Sequence, residues 1–235
     1  MLKVVILCGG RGHRLKPLTR SIPKPLVTLN GRPVLEHIIK FYIGRGFRDF
    51  VLCTGYRADA IRKFVSESAF SANIEFSDAG LRAGILKRLH AARHLIDGRA
   101  VVTYGDTFID IDIHKMLKEH SKTEAGATIT LADIRSPFGL VTLDKTRKVR
   151  SFEEKPVFQY YIGHMILEKR VLDELSSNLI SGQDGEGLIN LFKKLIRTKK
   201  LYAYKHGGLK ITFNTLYERQ RAEEQFTKFF TEQEG

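Results

Sequence analysis

In the first half of the chain, short unbroken apolar runs alternate with segments whose apolar residues fall at helical spacing. Leu2–Cys8 is a continuous, β-branched run, the pattern of a central strand covered on both faces. Pro33 to Gly46 predicts a helix, with Pro33 in its first turn and Val34, Ile38, Ile39 and Tyr42 along one side. Asp49–Thr54 predicts a strand, Ala58–Ser68 a helix and Asn73–Phe76 a short strand. Gly84–Ile96 is amphipathic, with Ile85, Leu89 and Ala92 on one side. Ala100–Tyr104 predicts another strand, and Ile113–Ser121 a helix for which Asp112 is the natural N-cap. Strands separated by helices of this length imply βαβ units and a parallel sheet.

The second half changes character. Ala127–Asp133, Gly139–Leu143, Val149–Glu153 and Tyr160–Leu167 are strand-like runs separated by turn residues. Glu168–Ser176, Leu188–Thr198 and Thr215–Phe230 predict helices, and Leu201–Tyr204 and Lys210–Phe213 further strands. Ser177–Gly187 is the most loop-like stretch. With no repeat, low-complexity block or linker, residues 1–235 are expected to form one domain.

Composition narrows the class. The chain has 235 residues, 43% hydrophobic and 28% charged, which excludes disordered, collagenous and coiled-coil chains. No apolar run approaches the roughly 18 residues of a membrane span, and Val4–Cys8 is too short for a signal-peptide core. Cys8 and Cys53 both lie in apolar runs and read as buried, reduced thiols of a cytoplasmic protein. The net charge of +13 points to anionic partners. The basic residues are dispersed, without a dense tail or a basic-aromatic ladder, so nucleic acid is not the expected partner.

The candidate chemistry starts where the first strand ends. Cys8-Gly9-Gly10-Arg11-Gly12-His13-Arg14-Leu15 leads into Pro23-Lys24-Pro25. Glycines let backbone amides approach an anion, and the carboxyl end of a central strand is where α/β sheets bind ligands. Arg14 and Lys24 add positive charge to the same mouth. The loop is not a dinucleotide fingerprint, because Leu15 stands where a third glycine would be needed, and no Gly-Lys-Ser/Thr follows as in a Walker loop. Read by itself, the segment is either a phosphate-binding loop or a tight turn with surface basic residues.

The pairing of Gly9-Gly10-Arg11-Gly12-His13-Arg14-Leu15 with Pro23-Lys24-Pro25 resembles the signature of the sugar-phosphate nucleotidyltransferases. The glucose-1-phosphate cytidylyltransferase branch is resembled in particular by Gly46–Tyr56, Leu86-Lys87-Arg88, Thr103-Tyr104-Gly105-Asp106, Phe152-Glu153-Glu154-Lys155-Pro156 and Ala203-Tyr204-Lys205-His206. The resemblance covers roughly residues 1–224. The resemblance implies an α/β fold, a Rossmann-like three-layer nucleotidyltransferase fold with a central mostly parallel sheet and a smaller acceptor-binding part. Residues 1–125 would be mainly nucleotide-binding, and residues 126–235 would carry the acceptor side and a second metal position. The length leaves no room for a separate β-helix or acyltransferase domain.

The implied reaction is attack by an acceptor phosphate oxygen on the α-phosphorus of a nucleoside triphosphate, CTP being favoured, with loss of pyrophosphate. Arg14, Lys24 and Asp106 would be the catalytic residues. Leu7, Gly9, Gly10, Gly12, His13, Arg14, Lys24, Asp78, Gly84 and Asp106 would contact the nucleotide. Glu154, Lys155, Gly163 and His164 would face the acceptor. Mg²⁺ would be held by Asp106 and Asn214. Asn214 also suits the N-cap of the final helix, so a capping role stands beside the metal role. No membrane partner is expected, and a homo-oligomer is left open.

Several positions depart from the branch's pattern. His13 replaces a threonine, Asn214 an aspartate and Ile85 an arginine. The segment from Asp78 to Lys87 is shorter than in that branch. Tyr161-Ile162-Gly163-His164 lacks the amide that would pair sugar hydroxyls. Two alternatives follow: a cytidylyltransferase for a non-glucose phosphorylated alcohol or phosphonate, or a nucleotide-binding regulatory module with weak turnover.

Overall fold

The computed structural model describes residues 1–181 and 185–233. In chain order the strands and helices are β1 (Lys3–Leu7), β2 (Thr28–Leu29), β3 (Arg32–Pro33), α1 (Val34–Gly44), β4 (Asp49–Thr54), α2 (Ala58–Glu67), β5 (Asn73–Asp78), α3 (Ile85–Ala92), β6 (Arg99–Tyr104), β7 (Thr107–Ile109) and α4 (Ile113–His120). They continue with β8 (Ala127–Arg135), β9 (Leu140–Leu143), β10 (Val149–Glu153), β11 (Val157–Glu168), α5 (Lys169–Asp173), α6 (Ser177–Ile180), α7 (Glu186–Arg197), β12 (Leu201–Lys205), β13 (Lys210–Thr212) and α8 (Leu216–Gln233).

Seven strands form one sheet in the order β12-β8-β11-β6-β1-β4-β5. All pairings are parallel except those of β11, which runs antiparallel to both β6 and β8. Strand alternation sends successive residues to opposite faces and builds two cores. Val4, Ile6, Phe50, Leu52 and Val101 pack against α1, α4 and Phe226 of α8. Val5, Val51 and Val102 pack against α3, α5 and α7 through Leu89, Leu172 and Leu191. Helices therefore cover both faces, which explains why the parallel strands read as unbroken apolar runs.

Register places the site. Leu7 pairs with Cys53 on one side and Tyr104 on the other, so β1, β4 and β6 end level. The glycine loop, the Thr54-Gly55 turn and Gly105-Asp106 thus emerge side by side at the carboxyl ends of neighbouring strands. β7 then pairs with β13, Thr107 opposite Thr212, which carries the segment around Asn214 to Asp106.

The expected strand and helix order holds, with local differences. β5 runs on to Asp78, and the helix expected to reach Ile96 ends at Ala92 before a 3-10 turn, Arg93–Leu95. β2, β3 and β7 were not expected, because two or three residues are too few to display a period. Within the stretch read as a loop, Ser177–Ile180 forms a helical turn, and Gly182–Asp184 lie outside the described residues. Asp112 caps α4 as expected, accepting from the Lys115 amide at 3.0 Å. Cys8 and Cys53 are buried free thiols.

Candidate active site

The glycine loop roofs a cavity of about 820 Å³. Leu7, Gly9, Gly10, Gly12, His13, Arg14, Lys24, Asp106 and Asn214, all singled out in the sequence, line it. Gly12 holds a left-handed conformation at φ 60°, which favours glycine, and a Cβ there would press on Thr19 and Lys24, 3.1 Å from the Cβ of Lys24. The loop is braced from below. Thr19 Oγ1 donates to the Gly12 carbonyl at 2.8 Å, and the Tyr56 hydroxyl donates to the Thr19 carbonyl at 2.9 Å.

At the floor, Lys24 is only 6% exposed, and its ammonium gathers two oxygens from distant parts of the chain. Nζ lies 2.7 Å from Asp106 Oδ2 and donates to Asn214 Oδ1 at 3.2 Å. A buried ammonium requires such partners. Phe213 lies under the same nitrogen, its ring centroid 5.5 Å away. The two oxygens converge on one cation, and both are hard donors of the kind that bind magnesium. Among the described residues no group of three His, Cys, Asp or Glu side chains could hold a metal. A metal here would be shared between Asp106, Asn214 and phosphate oxygens of a bound nucleotide.

Capping of α8 falls to Thr215, whose Oγ1 accepts from the Glu218 amide at 3.1 Å, while Glu218 Oε2 accepts from the Asn214 backbone amide at 2.6 Å. The Asn214 side chain is therefore not the cap. It faces Lys24.

Cys8 also lines the cavity. Burial, followed by the nearby Cys53 and Asp106, pushes its thiol well above the usual range, so it stays protonated and is no nucleophile.

Other expected contacts lie elsewhere. Asp78 and Gly84 do not line the cavity, although Leu81, Arg82 and Ala83 between them do. Asp78 is exposed and its Oδ1 accepts from the Gly80 amide at 2.8 Å. Glu154 and Lys155 are exposed on the turn between β10 and β11, away from the cavity lining. Gly163 is left-handed, at φ 79°, packed on Tyr104 beside the cavity.

His164 is set in the core rather than on an acceptor surface. It is fully buried, Nε2 lies 2.7 Å from the Tyr42 hydroxyl, and Nδ1 lies 3.0 Å from Thr130 Oγ1. A neutral imidazole offers one donor and one acceptor, which two hydroxyls satisfy. Burial, and secondarily His206, lower its pKa to about 3.

Arg88 and Tyr104 line the cavity but were not expected there from the residues alone. The sequence did carry a signal for Arg88: it falls on the same helix stripe as Ile85, Leu89 and Ala92, an apolar face where a cation needs a reason.

With this geometry in hand, comparison places the chain. The model of the family described as "Nucleotidyl transferase" matches residues 3–230. The chain belongs to this family, and is an enzyme of the sugar-phosphate nucleotidyltransferase class. It is 29% identical to the probable glucose-1-phosphate cytidylyltransferase of Bacillus subtilis (strain 168), over 91% of this chain and 92% of that one. It is 30% identical to the D-glycero-alpha-D-manno-heptose 1-phosphate guanylyltransferase of Campylobacter jejuni, over 66% of this chain and 69% of that one. The fold matches a crystal structure of a putative glucose-1-phosphate thymidylyltransferase from Bacillus anthracis, in complex with a sucrose. Its TM-score is 0.75 at 22% identity, covering 96% of this chain and 95% of that one. Enzymes of this family bind a nucleoside triphosphate and a sugar phosphate, and generally use a divalent metal. Among the described residues no helix is long and apolar enough to cross a membrane.

Proposed function

We propose that the protein is a cytidylyltransferase that joins the CMP moiety of CTP to a phosphorylated acceptor, a sugar 1-phosphate or a related phosphorylated alcohol, releasing pyrophosphate. The observation that carries this reading is the meeting of Lys24, Asp106 and Asn214 beneath a glycine loop in one cavity. CTP is supported by the near full-length similarity to the Bacillus subtilis relative.

The reaction needs no protein nucleophile. An acceptor phosphate oxygen forms the bond to the α-phosphorus as the bond to the bridging oxygen of pyrophosphate breaks. The protein contributes position and charge. Loop amides from Gly9 to Gly12, together with Arg14, hold the triphosphate. Lys24, a buried cation in the cavity lining, would face the α-phosphate. Asp106 and Asn214 would hold Mg²⁺, which when bound neutralises charge on the phosphate oxygens. Glu154, Lys155 and Gly163 serve the acceptor, and the absence of a side-chain amide in Tyr161–His164 favours an acceptor with fewer hydroxyls to pair.

The test is thermal unfolding with Mg²⁺ and each of CTP, UTP, GTP, ATP and dTTP, followed by pyrophosphate release over a panel of phosphorylated acceptors. A nucleotide at about 100 times its Kd stabilises the fold by roughly 2.7 kcal/mol. A shift with CTP alone supports the reading. A shift with a different nucleotide moves the base assignment, and pyrophosphate release from no acceptor defeats the proposal.

A further inference from the structure

Arg88 is charged, 5% exposed and carried on the apolar face of α3. Its guanidinium reaches under the glycine loop. Nη1 donates to the Thr54 carbonyl at the end of β4, and Nη2 donates to the Gly9 carbonyl at 3.1 Å. The Gly9 carbonyl also accepts from the Tyr56 amide at 3.1 Å, so both of its lone pairs are engaged. Because a trans peptide is planar, fixing the Gly9 carbonyl fixes the Gly10 N–H in the opposite direction. Gly10 is exposed, and a Cβ there would meet nothing within 4 Å, as expected of a residue that opens onto the cavity.

Two glycines make room for this arrangement. A Cβ at Gly9 or at Gly55 would overlap the Arg88 guanidinium. Neither glycine has a left-handed φ, so the backbone itself does not demand glycine at either position. The guanidinium does. Gly9 is the first glycine of the loop, yet it is explained by an arginine behind the loop.

We propose that Arg88 is a positioning residue for nucleotide binding. Seated between Gly9 and Gly55, it fixes the peptide that opens the glycine loop and so sets the direction in which the loop amides meet the triphosphate. This rests on the reading of the cavity as a nucleotide site. Arg88, Gly9 and Gly55 then act as one unit, and their substitutions are coupled rather than additive.

The experiment is calorimetric titration of CTP with Mg²⁺, with UTP, GTP, ATP and dTTP in parallel, into the wild type, Arg88→Ala, Arg88→Lys, Gly55→Ala and the Arg88→Ala/Gly55→Ala double variant. Thermal midpoints establish that each is folded. Arg88→Ala is expected to weaken nucleotide binding about tenfold or more, the scale of a lost charge-assisted hydrogen bond. Arg88→Lys stays weakened, because an ammonium cannot bridge two carbonyls as the fork does. Gly55→Ala weakens binding in the wild type but adds nothing in the Arg88→Ala background, where the new methyl enters vacated space. Guanidinium chloride at millimolar concentration restores part of the affinity of Arg88→Ala and none of that of Gly55→Ala. Should Arg88→Ala fail to fold, Arg88→Lys and Gly55→Ala carry the test.

Wild-type affinity in folded Arg88 variants, or additive effects of the two substitutions, would overturn the inference while leaving the nucleotide site standing. A wild type that binds none of the five nucleotides overturns both.

Discussion

The floor of the cavity and the β9–β10 hairpin are built on opposite plans. At the floor, Lys24 is 6% exposed and is held by residues from two other parts of the chain. On the hairpin every residue of both strands is exposed, with Val149 at 65% and Phe152 at 64%. Among the described residues each hairpin strand pairs with the other alone. Glu154 and Lys155 sit on the turn that leaves it. One region has its charges in place before any ligand arrives, because burial forces them to find partners. The other carries its charges in solvent, where nothing requires them to converge. The contrast fits a reaction in which the triphosphate must be aligned for in-line displacement while the acceptor differs from one relative to the next.

The largest effects should fall at the floor. Asp106→Asn and Lys24→Met are each expected to lower pyrophosphate release by about 100-fold or more. Lys193→Ala, on an exposed face of α7, should stay within about twofold. Equal losses from all three would erase the distinction between the regions.

Stability should divide along the same line. Phe213→Ala empties the fully buried site beneath Lys24 and should cost about 3–5 kcal/mol in denaturant unfolding. Phe152→Ala on the hairpin should stay within about 0.5 kcal/mol.

A third test uses acidity. His164 is neutral in the folded protein down to about 3, whereas the unfolded chain takes up its proton near 6.5. Between those values the unfolded state binds more protons, so stability falls as pH drops from 6.5 towards 3. His164→Gln should flatten that slope in thermal unfolding between about pH 6.5 and 4 while lowering the midpoint at neutral pH. An unchanged slope would mean that His164 is not held neutral.

The smallest expected effect is that of Lys155→Ala. It should raise the acceptor's KM by less than about tenfold and leave the nucleotide-induced thermal shift unaltered, since an exposed charge contributes little until a ligand desolvates it. A loss of nucleotide binding would show that the two regions are coupled.

The pattern of apolar runs was enough to lay out the parallel strands, because both faces of each are covered and the chain must say so in unbroken Val, Ile and Leu. The glycine loop and Asp106 were legible for a related reason, since they follow on strand ends, and Lys24 through the resemblance of Pro23-Lys24-Pro25 to the family's signature. Other features were not. β7 is too short to display a period and pairs with β13 about a hundred positions away, so Asn214 was brought to Asp106 by the family resemblance and not by any local pattern. The capping of α8 by Thr215 was hidden because Asn214 and Thr215 are both good caps, and only the geometry chooses between them. His164 was expected to face the acceptor, although packing is the commoner role of a strand histidine. Its place in the core depends on Tyr42 and Thr130, from two other elements.

The contacts between the two ends of the chain bear on how the enzyme is made. Arg219 donates to the Thr28 carbonyl at 3.0 Å, the Asn30 amide donates to Glu223 at 2.9 Å, and the Asn30 side chain donates to Thr227 at 2.8 Å. With Asn214 on Lys24, α8 and the strand before it close over the segment that follows the glycine loop. On a ribosome that adds about 5–20 residues per second, the loop and Lys24 would emerge many seconds before these partners. Throughout that interval Lys24 lacks Asn214, and the floor of the cavity is unfinished. A nascent chain thus carries its glycine loop well before the residues that complete the floor of the cavity have been added.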